Sequence, residues 1–124
     1  MHVYETANLV RERERTASPY VEFFRVPAMS GGIYVLAKAA TDRQSPHSED
    51  EVYVVVQGRA RIRVGADDRA VGPGTIVFVP ARLAHRFHDI EESLTALVFF
   101  APAESTPARQ VRPKKRPGRA RTKS

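Results

Sequence analysis

Gln44–Gly58 reads QSPHSEDEVYVVVQG, and the reading of this stretch decides the fold. In an extended chain side chains alternate between faces, so residues i and i+4 point the same way. That alternation is expected to place His47 and Glu51 on one surface, with Tyr53 and Val55 continuing it inward and Gly58 closing the strand. A neutral imidazole beside a carboxylate makes two members of the 2-His-1-carboxylate set that holds divalent metals. The missing histidine stands in Gly72–Asp89, GPGTIVFVPARLAHRFHD, where His85 opens a second candidate strand.

Outward from these two stretches the chain reads as short strands punctuated by turns. Tyr20–Val26 carries β-formers and stops at Pro27, Ser30-Gly31-Gly32 is a turn, and Ile33–Ala40 is the next strand. Glu51–Gln57 and Ala60–Val64 are separate strands with Gly58 between them. Arg69–Val71 pairs briefly, and Thr75–Val79, His85–Ile90 and Leu94–Phe100 complete the set. No apolar stripe with a 3.6-residue period has useful length, and the RERER of residues 11–15 fits a short helical turn or an exposed strand equally. Seven or eight short strands with Gly and Pro at the turns argue an all-β antiparallel sandwich or barrel.

Composition bounds the rest. The chain has 124 residues, enough for one core, and 42% of them are hydrophobic. It has no cysteine, which excludes disulfides, thiolate metal sites and cysteine nucleophiles. No secretory pattern opens the chain, and its longest apolar run, near Leu97–Ala101, is far short of the ~20 residues of a membrane helix. A soluble, cytoplasmic protein without membrane contact is expected.

The net charge of +6 is unevenly distributed. Eight of the 20 basic residues and none of the 14 acids lie beyond Pro107, so the remainder carries 12 basic residues against 14 acids, about −2. The tail is expected to be disordered. It serves either as a solubilising extension or for weak, nonspecific contact with nucleic acid through phosphates. It contains no aromatic for base stacking. The expected organisation is an arm over residues 1–19, a barrel over 20–104 and a basic tail over 105–124.

These residues resemble a known family. Across roughly residues 30–103 the chain is similar to small single-domain cupins, which are jelly-roll β-barrels. Their first motif runs Gly, spacer, His-x-His, three or four residues, Glu, six residues, Gly; His47, Glu51 and Gly58 match its second His, Glu and final Gly. Their second motif runs Gly, five residues, Pro-x-Gly, two residues, His, three residues, Asn; Gly74, Pro80 and His85 match. Ser45 stands at the first motif's leading His, Arg82 at the second motif's inner Gly and Asp89 at its Asn.

The resemblance implies one divalent metal (Fe, Zn, Ni or Mn) held by His47, Glu51 and His85. A serine hydroxyl is a poor ligand, so Gln44 becomes the candidate for the fourth position, directly or through water. Asp89 is a candidate acceptor behind His85, or a turn residue only, and Ser45 lies beside the ligands. A neighbouring Tyr or Glu is the candidate acid or base, Tyr53 being the residue named, and Tyr53 and Phe87 are candidates to line the pocket mouth. Arg25, Arg61, Arg63 and Arg86 are candidates to anchor an acidic substrate, although the alternation of ARIRV also suits a wet face. His88 falls on the face opposite His85, and His2 has no supporting pattern.

The function expected is binding, and transformation in one reading, of a small oxygen-rich molecule. Dioxygenase chemistry would follow with iron, and isomerase or lyase chemistry with a Lewis-acidic ion. A noncatalytic ligand-binding module, its metal site weakened or absent through loss of the first His, is the alternative, since the fold hosts enzymes and binding proteins alike. A homodimer is expected to cover the outward apolar residues Val52, Val54 and Val56.

Overall fold

The computed structural model describes residues 1–105, so the basic tail read from the sequence lies, apart from Ser105, outside the described residues. The elements are α1 (Thr6–Glu14), β1 (Tyr20–Val26), β2 (Met29–Leu36), β3 (Asp50–Val64), β4 (Asp67–Val71), β5 (Ile76–Val79) and β6 (His85–Ala101). Every pairing is antiparallel, in the order β1-β2-β6-β3-β4, with β5 added to β3. The architecture is the antiparallel jelly-roll barrel that the strand pattern pointed to. Its hydrogen-bonded ladder ends on β1 and β4 rather than closing on itself.

Two long strands replace four expected ones. β3 runs 15 residues through Gly58, and β6 runs 17 residues where a break between Ile90 and Leu94 was expected. Gly58 is therefore not a strand end. It sits at φ +93 inside β3, among register shifts against β6 at Val55/Gln57, Gln57/Arg59 and Arg59/Arg61. An extra residue in one strand bends the ladder and raises its twist. The paired ribbon folds over there, so its two halves face one another across the core. Tyr53, from the half where β3 pairs with Val98, packs edge-on against Phe87, from the half paired with Ile62, with ring centroids 4.8 Å apart.

The alternation read in the sequence is present. Glu51, Tyr53 and Val55 are buried, while Val52, Val54 and Val56 are half-buried on the outer face. β2 begins earlier than expected, at Met29, and takes in Ser30-Gly31-Gly32, which had looked like a turn. The reason is packing: a Cβ on Gly31 would lie 2.3 Å from the Phe24 ring, and one on Gly32 2.3 Å from the Tyr20 ring. These glycines make room for the aromatics of β1.

The undecided arm is α1. Leu9, its buried residue, joins Val21 and Ile33 in a small second cluster, so the helix covers part of the outer face of β1 and β2. On β5, Ile76 and Phe78 remain 69% and 58% exposed. Among the described residues, no helix is long and apolar enough to cross a membrane.

Two substitutions test this backbone account. Ala at Gly58 would need φ +93 and would bring its Cβ 2.1 Å from the Ser93 carbonyl oxygen. Gly58→Ala is expected to cost about 2–3 kcal/mol. Arg82, exposed at φ +68 where the motif has glycine, already carries left-handed strain. Arg82→Gly should leave stability unchanged or raise it by up to about 1 kcal/mol. Urea midpoints at constant m read both, and a Gly58→Ala variant as stable as the parent would contradict the bend.

Candidate metal centre

His47, Glu51 and His85 each bring one ligand atom to within 4.8 Å of the other two. They arrive by three different routes. Glu51 is the second residue of β3 and points inward by alternation. His85 is the first residue of β6. His47 precedes β3 by three residues and lies in the loop that follows β2, so strand parity, which had been expected to place it, is not what does so.

The loop is held by hydrogen bonds instead. Buried Asp42 accepts from the Tyr34 hydroxyl (2.5 Å), the Phe87 amide (2.8 Å) and both the backbone and side-chain nitrogens of Gln44 (3.2 and 3.0 Å). The Arg82 amide donates to the His47 carbonyl at 2.6 Å, and the His47 ring rests edge-on against Phe100 with centroids 4.8 Å apart.

The polar atoms at the centre lack hydrogen-bond partners. His47 Nε2, His85 Nε2 and both carboxylate oxygens of Glu51 are buried from solvent and make no hydrogen bond. His85 Nε2 and Glu51 Oε1 are 3.1 Å apart, within ion-pair range but not aligned to hydrogen bond. Buried polar groups without partners are unfavourable, and four in one place call for a shared one. The spacing suits a cation: two ligands at right angles on bonds of about 2.1 Å sit roughly 3.0 Å apart. The group could hold a divalent metal, as in cupins.

The far nitrogen of His85 is already committed. Its Nδ1 lies 2.9 Å from the Leu83 carbonyl, an arrangement that puts the ring proton on Nδ1 and leaves the Nε2 lone pair inward. Burial pulls the His85 pKa down, but Glu51 and the Leu83 carbonyl outweigh it and the net direction is up from 6.5. Asp89 plays no part in this: its side chain is 71% exposed, its φ is +48, and its partner is His88 at 3.5 Å. The acceptor behind His85 is main chain, which sequence reading could not have shown.

Gln44 donates its amide to the Tyr53 hydroxyl at 2.7 Å as well as to Asp42. Ser45 is exposed. Tyr53 and Phe87 are wholly buried, so they form the floor of the barrel rather than its mouth. Burial foremost, then the nearby Glu51 charge, holds the Tyr53 hydroxyl in its neutral form. The mouth is a cavity of about 170 Å³ lined by Tyr20, Tyr34, Gln44, His47, Val98, Phe100 and Glu104. A larger hollow of about 390 Å³ lies against Ile62, Phe78 and Leu83 and includes none of the three metal-site residues.

Carboxylates, not arginines, surround the site. Glu22, Glu49 and Glu104 are buried along with Glu51. Burial, then the charges of Glu22, Glu49 and Glu51, raises the Glu104 pKa to about 7. The arginines considered as substrate anchors are engaged elsewhere: Arg25 by Glu22, at 3.0 Å on two nitrogens, and Arg61 and Arg63 by Asp68 at 3.0 and 3.1 Å. Arg86 is exposed, and His88 pairs with Asp68 at 2.9 Å. Sequence reading missed Asp42, Glu22, Glu49 and Glu104, which lie in loops or on a first strand where no motif marks them.

Comparison with known proteins agrees with this geometry. Residues 32–101 match the family model described as the cupin domain. An uncharacterized protein of Streptomyces coelicolor is 46% identical over 105 residues, covering 85% of this chain and 100% of its own length. Among solved structures, TT1209 from Thermus thermophilus superposes with a TM-score of 0.68 at 22% identity, covering 83% of this chain and 99% of that one. The DMSP lyase DddQ from Ruegeria pomeroyi gives 0.58 at 22% identity, over 61% of this chain and 39% of the lyase. At these identities the two structures show a shared fold and nothing of substrate. Family model, relative and barrel converge with the two spaced motifs: this chain belongs to the cupin family.

Proposed function

We propose that this cupin binds one divalent metal through His47, Glu51 and His85, and a small oxygen-bearing molecule in the cavity beside it. The observation that carries the reading is the set of four buried atoms at the centre that make no hydrogen bond, two imidazole nitrogens and two carboxylate oxygens, with His85 Nε2 and Glu51 Oε1 3.1 Å apart. When bound, the ion would supply Lewis acidity or, as iron, dioxygen chemistry.

The chain's own groups define what can sit there. Gln44 has its amide nitrogen committed to Asp42 and Tyr53, which leaves its carbonyl oxygen for the fourth ligand position, a water or the small molecule. Tyr53 keeps its proton behind Glu51, where it can hold a hydrogen-bonded group in place. Val98 and Phe100 exclude water from one wall, and the Tyr20 hydroxyl, buried without a partner, is a free hydrogen-bonding group on another. With acids around the cavity and Arg25 committed to Glu22 and the Glu104 carbonyl, a neutral hydroxyl- or carbonyl-bearing molecule suits it better than an anion.

Zinc titration against a chromophoric chelator tests the metal. One equivalent should bind the parent protein. His47→Ala, Glu51→Ala and His85→Ala should each weaken binding by more than about 100-fold, beyond the 10–100-fold that outer partners of a ligand command. Ser45→Ala, at an exposed position, should stay within about twofold. Parent-like affinity in His85→Ala would contradict the assignment.

Affinity should also depend on pH with a definite sign. An imidazole must lose its proton before it ligates, and the His85 pKa lies above 6.5. Binding should therefore weaken as pH falls toward and through 6.5, by up to about tenfold per unit for each imidazole that must deprotonate. Isothermal titration between about pH 8 and 5.5 reads the slope. A flat profile would mean that no imidazole ligates the ion.

A further inference from the structure

We propose that Glu104 is a positioning residue that holds His47 in the one ring tautomer able to bind metal through Nε2. The proposal rests on the metal reading of His47 given above. A neutral imidazole carries a single ring proton, so its Nε2 lone pair is free only when that proton sits on Nδ1. For His85 the Leu83 carbonyl settles the matter at 2.9 Å. His47 has a different neighbour: its Nδ1 lies 3.3 Å from Glu104 Oε2, an ion-pair contact rather than a formed hydrogen bond, while its Nε2 is buried and makes no hydrogen bond.

Glu104 does not reach this place by belonging to a strand. It follows β6, in a short strap that crosses back over the ends of β1 and β2. The Ala103 amide donates to the Pro27 carbonyl at 3.2 Å. The Glu104 amide donates to Ser30 Oγ at 3.1 Å, and its carbonyl accepts from Arg25 Nη2 at 2.7 Å. Arg25 is itself fixed by the two 3.0 Å bonds to Glu22. One residue further on, the Ser105 amide donates to Glu49 Oε2 at 3.1 Å, and Ser105 Oγ lies 3.3 Å from Ser48 Oγ. Ser48 and Glu49 adjoin His47, so the strap is tied to the segment that carries the imidazole.

The electrostatics favour a working partner over a packing role. Burying Glu104 near Glu22, Glu49 and Glu51 is unfavourable in itself, through lost hydration and like charge. An imidazole N–H polarised by a metal on the opposite ring nitrogen is a donor that offsets that cost. Carboxylate–histidine–metal arrangements of this kind fix the ring and raise its basicity.

The test uses the full chain with the His47 ring read by nitrogen-15 NMR along a pH series, the tautomer being taken from the plateau reached at the alkaline end. Zinc affinity is measured beside it by chelator competition. Metal-free parent protein should show His47 protonated on Nδ1. Glu104→Gln keeps the shape but can donate an N–H to Nδ1, and should move the proton to Nε2. Glu104→Leu removes the acceptor and should leave a mixture. Both should lose about 10–100-fold in zinc affinity, while the His85 tautomer stays as in the parent.

Parent His47 protonated on Nε2 would overturn the proposal, with no variant needed. So would parent-like tautomer and zinc affinity in both variants. Should Glu104→Leu not fold, the parent spectrum and Glu104→Gln still decide. A parent protein that takes up no zinc defeats the metal reading, whereas the tautomer of metal-free His47 separately decides what Glu104 does to the ring.

Discussion

The site depends on one constraint, the folding-over of the paired β3–β6 ribbon at Gly58. Glu51 lies near one end of β3, and His85 is registered opposite Val64 at the other end. In a straight ladder that separation would be roughly 40 Å at about 3.3 Å per residue. Yet the Glu51 and His85 side chains are 3.1 Å apart. Only a ribbon bent back on itself brings them together, and it bends where the Gly58 backbone passes so close to Ser93 that no Cβ fits. The same bend sets Tyr53 against Phe87 and closes the core beneath the site. Backbone permissiveness at one residue is therefore upstream of the Glu51–His85 pair.

The third ligand is placed by different physics. His47 owes its position to a loop pinned through buried Asp42, whose carboxylate takes four donors from β2, β6 and the loop itself. A carboxylate buried with this many donors is well compensated and makes the loop part of the rigid scaffold. One half of the centre thus rests on strand geometry and the other on a polar network.

That division explains what was legible in the sequence. Period-two alternation in Glu51–Val55 and the spacings around Gly58, Gly74, Pro80 and His85 are local signals, and they were enough for the barrel and for the set of His47, Glu51 and His85. The continuity of β3 through Gly58 was not legible, because a glycine at a bulge and a glycine at a turn look alike until the partner strand is known. Gly31 and Gly32 misled for the same reason: their role is to admit the Tyr20 and Phe24 rings from a neighbouring strand. Helix α1 went unassigned since its one buried residue is Leu9, too little for a visible stripe. Asp42 and Glu104 are polar residues in irregular segments, where no periodicity distinguishes a buried acid from a solvated one. Asp89, which had the right parity, is turned outward at φ +48.

The electrostatic setting narrows what the barrel can take. Buried acids crowd the cavity, and Arg25, the arginine nearest to them, is committed to Glu22 and the Glu104 carbonyl. A divalent ion would be drawn into such a field, and an anionic ligand would be disfavoured. The central claim is that His47, Glu51 and His85 share one metal ion. Its most direct test is a crystal of full-length protein grown with one equivalent of zinc, with anomalous data collected at the zinc edge. The account predicts a single strong peak about 2.0–2.2 Å from one atom of each of the three side chains. A peak seated elsewhere, or no peak among these residues in protein that retains its zinc, would contradict it.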